Sequence, residues 1–176
     1  MDEQNTVHLI KHAKKGNAYA FGELYSLYAT ELYRFALYTL KDTYDAEDAV
    51  QNAAINAYRK IKDLKKDESF RSWFFKILYN ECRKILTGKP RLYEVSQDDM
   101  SVYDKEVPPE SERSDLLSLL DTLPPEQKAI VVLSVFDGYT SEEIGEILDM
   151  KPGTVRSTLS RLLSKLRKQL EGADNE

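Results

Sequence analysis

The chain has 176 residues, enough for two small domains that each bury their own core. With 41% hydrophobic and 31% charged residues it reads as an ordinary globular protein, and no apolar run approaches the roughly 20 residues of a membrane span, which excludes stable membrane insertion. A net charge of −5 argues at first against a nucleic-acid partner, but the average hides an uneven distribution: residues 113–150 hold two basic and eight acidic side chains, whereas residues 151–168 hold six basic ones and no acid. Charge alone does not separate a DNA-binding helix from a solvated one, so the surrounding pattern has to decide. The polar stretch Met1–Thr6 is not followed by an apolar core with a cleavage site, and the expectation is a cytoplasmic chain. Cys82, the one cysteine, lacks a second thiol for a disulfide or metal site and reads as structural.

The periodicity predicts an all-α protein. A first helix starts with Thr6 as its cap and closes at Gly16, after which Asn17 caps a second helix. That second helix carries Phe21, Leu24, Tyr25, Tyr28, Leu32, Phe35 and Ala36 at steps of three and four, one continuous apolar stripe. A third helix, from about Asp45 to Ile61, presents Ala46, Ala49, Val50, Ala53 and Ala57, small residues that allow close helix approach. A fourth, from about Ser69 to Leu86, mixes aromatics with Arg71, Lys76, Arg83 and Lys84; of the aromatics, Phe74 and Phe75 are expected to pack inward. Helical pattern then stops, and residues 87–112, with Gly88, Pro90, Pro108, Pro109 and many acids, read as a flexible acidic linker. The predicted layout is a first domain over 1–86, this linker, and a second domain over 113–176. In the second domain Leu116, Leu117, Leu119, Leu120 and Leu123 precede Pro124, and the β-branched run from Ile130 to Val135 is read as buried helix.

Residues 138–170 hold the most informative constellation. Tyr139, Thr140 and Ser141 lead into a short amphipathic helix with Gly145 at its centre, Asp149 to Gly153 make a turn, and a basic helix follows at once. This is the grammar of a helix-turn-helix. On the second helix Val155, Leu159, Leu162, Leu163, Leu166 and Leu170 fall on one side, with Arg156, Ser157, Ser160, Arg161, Ser164 and Lys168 towards the other. Short hydroxyl side chains let a helix lie deep in the major groove, and arginine reaches guanine or phosphate. An amphipathic helix that packs in a dimer would show the same alternation.

Asp121-Thr-Leu-Pro-Pro-Glu-Gln-Lys128, Gly138-Tyr-Thr-Ser-Glu-Glu-Ile144 and Gly153-Thr-Val-Arg-Ser157 resemble region 4 of the sigma-70 family. Asp45-Ala-Glu-Asp-Ala-Val-Gln51 resembles region 2.2, and Phe70-Arg-Ser-Trp-Phe-Phe-Lys-Ile-Leu-Tyr-Asn80 the promoter-melting part of region 2 in the extracytoplasmic-function (ECF) group. The motifs come in family order and span roughly residues 5–86 and 113–170. The resemblance implies a sigma factor that binds core RNA polymerase and directs it to promoters, with promoter DNA as its second partner.

It further implies that Asp45, Glu47, Asp48 and Gln51 dock on the clamp helices of the largest polymerase subunit, and that the second domain meets the flap region. The −10 strand would meet Lys62, Lys65 and Lys66 in the loop before Ser69, then Arg71, Lys76 and Asn80, with Arg83 and Lys84 on phosphates. The −35 element would be read by Thr154, Arg156, Ser157, Ser160 and Arg161, with Lys165 on phosphate. Relatives often carry an acid at Asn52 and near Lys84, and an arginine at Thr158, so those three positions depart from the family pattern. The linker would either thread the polymerase near the RNA exit path or act as a plain tether. An anti-sigma partner is an expectation of the same kind. No nucleophile-base set, phosphate loop or metal cluster is present in the sequence; His8 and His12 lack a third ligand, so neither catalysis nor a cofactor is expected. A free-standing helix-turn-helix regulator and a protein-binding helical scaffold remain alternatives at this level.

Overall fold

The computed structural model describes residues 3–88, 118 and 120–173, and the chain divides into two compact units, one within residues 1–97 and the other within 98–176. The first unit is a four-helix assembly: α1 (Glu3–Lys14), α2 (Ala18–Leu40), α3 (Thr43–Lys60) and α4 (Phe70–Gly88). Its helix boundaries follow local chemistry. Gly16 takes φ +90, in the left-handed region, and its N–H donates to Ala13 O at 2.9 Å. Asn17 Oδ1 then accepts from Ala20 N at 3.1 Å, and Asp42 Oδ1 accepts from Asp45 N at 2.8 Å, so each side chain satisfies one orphan donor of a helix start. α1 begins at Glu3 rather than at Thr6, because neither proline nor glycine interrupts residues 3–6.

α2 packs on α1, α3 and α4, and α3 packs on α4. The small-residue face of α3 is buried as expected, with Ala46, Ala49, Ala53 and Ala57 at most 1% exposed. Phe35 of α2 and Phe70, Phe74 and Phe75 of α4 fill the interior, Phe35 meeting Phe75 edge-on at 5.7 Å between ring centroids. Burying each of these phenylalanines contributes about 1.5–3 kcal/mol. Between α3 and α4 two short 3₁₀ turns, Ile61–Asp63 and Asp67–Ser69, are anchored by the buried Ile61 and Leu64. Lys14 of α1 reaches Asp67 of the second turn at 2.5 Å.

In the second unit α5 (Pro125–Val131) runs into a π-helical turn, Val132–Phe136, so the β-branched run is helical but wider than an α-helix. Lys128, only 4% exposed, pairs with Asp121 at 3.2 Å, which joins the two ends of the Asp121–Lys128 motif. Then come α6 (Ser141–Leu148) and α7 (Pro152–Ala173), both packed together, with α5 also against α7. α6 starts with a capping box: Thr140 Oγ1 accepts from Glu143 N at 3.3 Å while Thr140 N donates to Glu143 Oε2 at 2.8 Å. Among the described residues no strand occurs and no helix is long and apolar enough to cross a membrane. The expected linker beyond Gly88, and Leu116, Leu117 and Leu119, lie outside the described residues.

Candidate nucleic-acid interface

α6 and α7 have the geometry of a helix-turn-helix, with α7 as its second helix. Asp149 ends α6 in the left-handed region at φ 59, its N–H donating to Gly145 O, and Pro152 opens α7 at a position where its missing N–H costs nothing. Val155, Leu162 and Leu166 are buried against the rest of the unit. Leu163, expected on that same side, is instead 39% exposed: its position on the helix puts it at the edge of the apolar stripe. Leu170 has no described side chain. Thr154, Arg156, Ser157, Ser160, Arg161 and Lys165 are all exposed and form the free side. Arg161 lies back along the helix, its Nε donating to Ser157 O at 3.3 Å. Arg156 is held across the turn by Glu142 of α6, Nη1 to Oε1 at 2.6 Å. The backbone N–H at the start of α6, and next the Arg156 guanidinium, hold the Glu142 carboxyl below its ordinary range.

In the first unit the fourth helix and the third form a cleft of about 540 Å³, lined by Asn56 and Lys60 of α3 and by Ile77, Asn80, Glu81, Arg83, Lys84 and Thr87 of α4. Asn80, Arg83 and Lys84, expected on the strand, thus come together on one wall, with Arg83 over the Tyr79 ring at 5.9 Å. Lys76, half-buried, lies one turn before Asn80 on the same side of α4. Lys62, Lys65 and Lys66 are exposed on the 3₁₀ connection but do not line the cleft. Arg71 is not brought to it. Nine residues from Asn80, it stands half a turn round α4 and binds Glu31 of α2, Nη2 to Oε2 at 3.0 Å. Asn56 and Glu81 were not foreseen; they meet at 2.9 Å across two helices, a pairing no local pattern announces.

Glu47, Asp48 and Gln51 are exposed on α3, and Asp45 is half-buried near its start. Three large side chains the sequence reading passed over share that outer face: Tyr44 at 82%, Ile55 at 49% and Tyr58 at 39% exposure. On that face the acids thus stand beside bare aromatic and aliphatic side chains. An apolar hollow of about 480 Å³ between α2 and α3, floored by Phe21 and edged by Ile55 and Tyr58, adjoins it.

Comparison with known proteins identifies the family. The family model for sigma-70 region 2 matches residues 24–91 and that for sigma-70 region 4 matches residues 113–166. The ECF RNA polymerase sigma factor SigW of Bacillus subtilis is 32% identical over 178 aligned positions, covering 92% of this chain and 94% of its own. The chain belongs to the ECF sigma factors of the sigma-70 family. It is a transcription initiation factor that binds core RNA polymerase and directs promoter-specific initiation, and the free-standing regulator is set aside. Two solved structures share the fold: CnrH in complex with the cytosolic domain of CnrY, with a TM-score of 0.74 at 23% identity over 96% of this chain and 98% of that one; and the sigma factor RpoE in complex with the anti-sigma factor NepR from Bartonella quintana, with a TM-score of 0.73 at 22% identity over 86% and 96%.

Proposed function

We propose that this sigma factor divides its work among three surfaces: the outer face of α3 docks on the polymerase clamp helices, the α3–α4 cleft holds the unpaired −10 strand, and the exposed side of α7 reads the −35 element. The single observation that carries the reading is the cleft itself, which gathers Lys60, Arg83 and Lys84 for phosphates beside the amides of Asn56 and Asn80. Lys76 extends the strand path along α4, and Lys62, Lys65 and Lys66 prolong the cationic edge at the connection. Arg71, bound to Glu31, serves to tie α4 to α2 instead. Glu47, Asp48 and Gln51 offer acceptors to basic clamp residues, with Tyr44 and Ile55 supplying apolar area. In the second unit Arg156, Ser157, Ser160 and Arg161 face base edges, with Thr154 and Lys165 towards phosphate, and the same unit meets the flap region.

On this reading the domains are 1–86 and 113–176 with a linker between them, the factor works in the cytoplasm, and the polymerase supplies all the chemistry. RpoE of Bartonella quintana was solved with an anti-sigma factor; an inhibitor of that kind is proposed for this chain, covering the α3 face and the cleft together. Reconstituted initiation on a promoter library tests the assignment. Asp48→Ala should weaken binding to core polymerase, Asn80→Ala should leave that binding intact and slow promoter opening, and Arg161→Ala should flatten −35 preference by about tenfold. A uniform loss in all three variants, at unchanged core affinity and unchanged base preference, would refute the division.

A further inference from the structure

The cleft contains a group that a plain phosphate-binding surface does not need. Glu81 is only 9% exposed, and the other charged residues of the lining, Lys60, Arg83 and Lys84, are cations. Its Oε1 accepts twice, from Asn56 Nδ2 at 2.9 Å and from Lys84 Nζ at 2.7 Å. Oε2 accepts no hydrogen bond from any described residue. Burying a carboxylate is costly unless it is paired, and a negative charge inside the cleft works against phosphate. The two bonds on Oε1 offset the first cost and fix the group, since one partner comes from α3 and the other from the next turn of α4. They leave the second oxygen as an acceptor in a lining otherwise rich in donors.

We infer that Glu81 is a specificity-determining residue of the cleft: Oε2 accepts from the exocyclic amino group of one unpaired base of the −10 strand and so selects against thymine. The inference rests on the proposed role of the cleft. An ionised carboxylate can only accept. Cytosine, adenine and guanine each carry an amino group, whereas thymine offers two carbonyl oxygens flanking a single ring N–H, and those oxygens meet the carboxylate unfavourably. With Oε1 already occupied, the contact is one bond rather than a fork, which suits rejection of thymine without choosing among the other three.

The test uses holoenzyme reconstituted from core polymerase and the full chain, on promoters that carry each of the four bases at every non-template −10 position, with open-complex yield read by competition. Glu81→Gln is nearly isosteric, and its amide oxygen still accepts from Asn56 and Lys84, while its NH₂ can donate to a thymine carbonyl. The wild-type factor should disfavour thymine about tenfold at one position, and Glu81→Gln should level that position while leaving the others unchanged. Lys84→Met, which keeps the carboxylate, should weaken opening at every sequence and retain the rejection of thymine. A base profile unchanged in Glu81→Gln, or lowered equally at all positions, overturns the inference. Asn80→Ala and Arg83→Ala in the same assay separate the two levels. If they impair opening while Glu81→Gln keeps the wild-type profile, the cleft holds the strand and Glu81 is only structural; if all of them open promoters normally, the reading of the cleft falls and the inference with it.

Discussion

Gly145→Ala is the substitution with the best-defined consequence for the helix-turn-helix. A Cβ at Gly145 would lie 2.6 Å from Met150 O and 3.5 Å from Pro152 N, inside the turn that joins α6 to α7. The obstructing oxygen belongs to backbone that cannot swing aside: Met150 N donates to Gly145 O at 2.9 Å, and Asp149 beside it already occupies the left-handed region. Overpacking of this kind costs about 1–3 kcal/mol, and the upper half applies because backbone rather than a side-chain tip must move. Alanine recovers up to about 1 kcal/mol of helix propensity in α6. The net expectation is a loss of about 1–2 kcal/mol confined to the second unit, which corresponds to amide exchange roughly 5 to 30 times faster in α6 and α7. Hydrogen exchange on the full chain reads this directly, with α1–α4 as the internal control. Exchange in α6 and α7 that is unchanged or slower in the variant would refute the account of the crossing.

Two further predictions concern titratable groups. Burial pushes the Cys82 thiol up to about 12 from its ordinary 9.0, so the folded state holds it neutral; the stability this contributes is complete below pH 9.0 and is lost as pH rises towards 12. At pH 8 the folded chain should therefore react with iodoacetamide on the order of a thousandfold more slowly than the urea-unfolded chain from the thiolate fraction alone, and equal rates would contradict the buried site. The Glu142 carboxyl is lowered first by backbone N–H donation at the start of α6 and next by Arg156. The pair with Arg156 should hold above the ordinary carboxylate range and fail as pH falls through the lowered value. In an NMR titration Arg156→Met should move the midpoint only part of the way back, and a complete return would show that the guanidinium dominates.

Most of the fold was legible because it rests on local rules. The caps at Asn17 and Gly16, the alanine face of α3 and the inward phenylalanines of α4 each follow from spacing within one helix, and the helix-turn-helix follows from a cap, a small residue and a turn in a fixed order. Signals that span two helices were not legible. Asn56 and Glu81 are 25 residues apart, and only the packing of α3 on α4 brings them together. The position of Arg71 round α4 was recoverable in principle, because counting 100° per residue puts it opposite Asn80, on the side of Phe75 and Leu78, both fully buried. Tyr44 and Ile55 escaped because they share their helical face with the polar Glu47, Asp48 and Gln51, which disguise an apolar contribution to an outer face.

The alanine face of α3 explains why one helix can serve two of the proposed surfaces. Ala46, Ala49, Ala53 and Ala57 bring α3 close against its neighbours, and the wider remaining side of the helix faces outward. Gln51 and Asp48 lie at the middle of that outward side, and Asn56 and Lys60 lie roughly a third of a turn round, on the wall of the cleft. A helix fixed by small-residue packing has no room to rotate, so a partner bound to its outward side also fixes the angle of the cleft wall. On the proposed reading, a bulkier residue at Ala53 would tilt α3 and disturb polymerase docking and −10 preference together. Substitutions confined to either surface would separate them, and that contrast is what distinguishes a shared rigid element from two surfaces that merely adjoin.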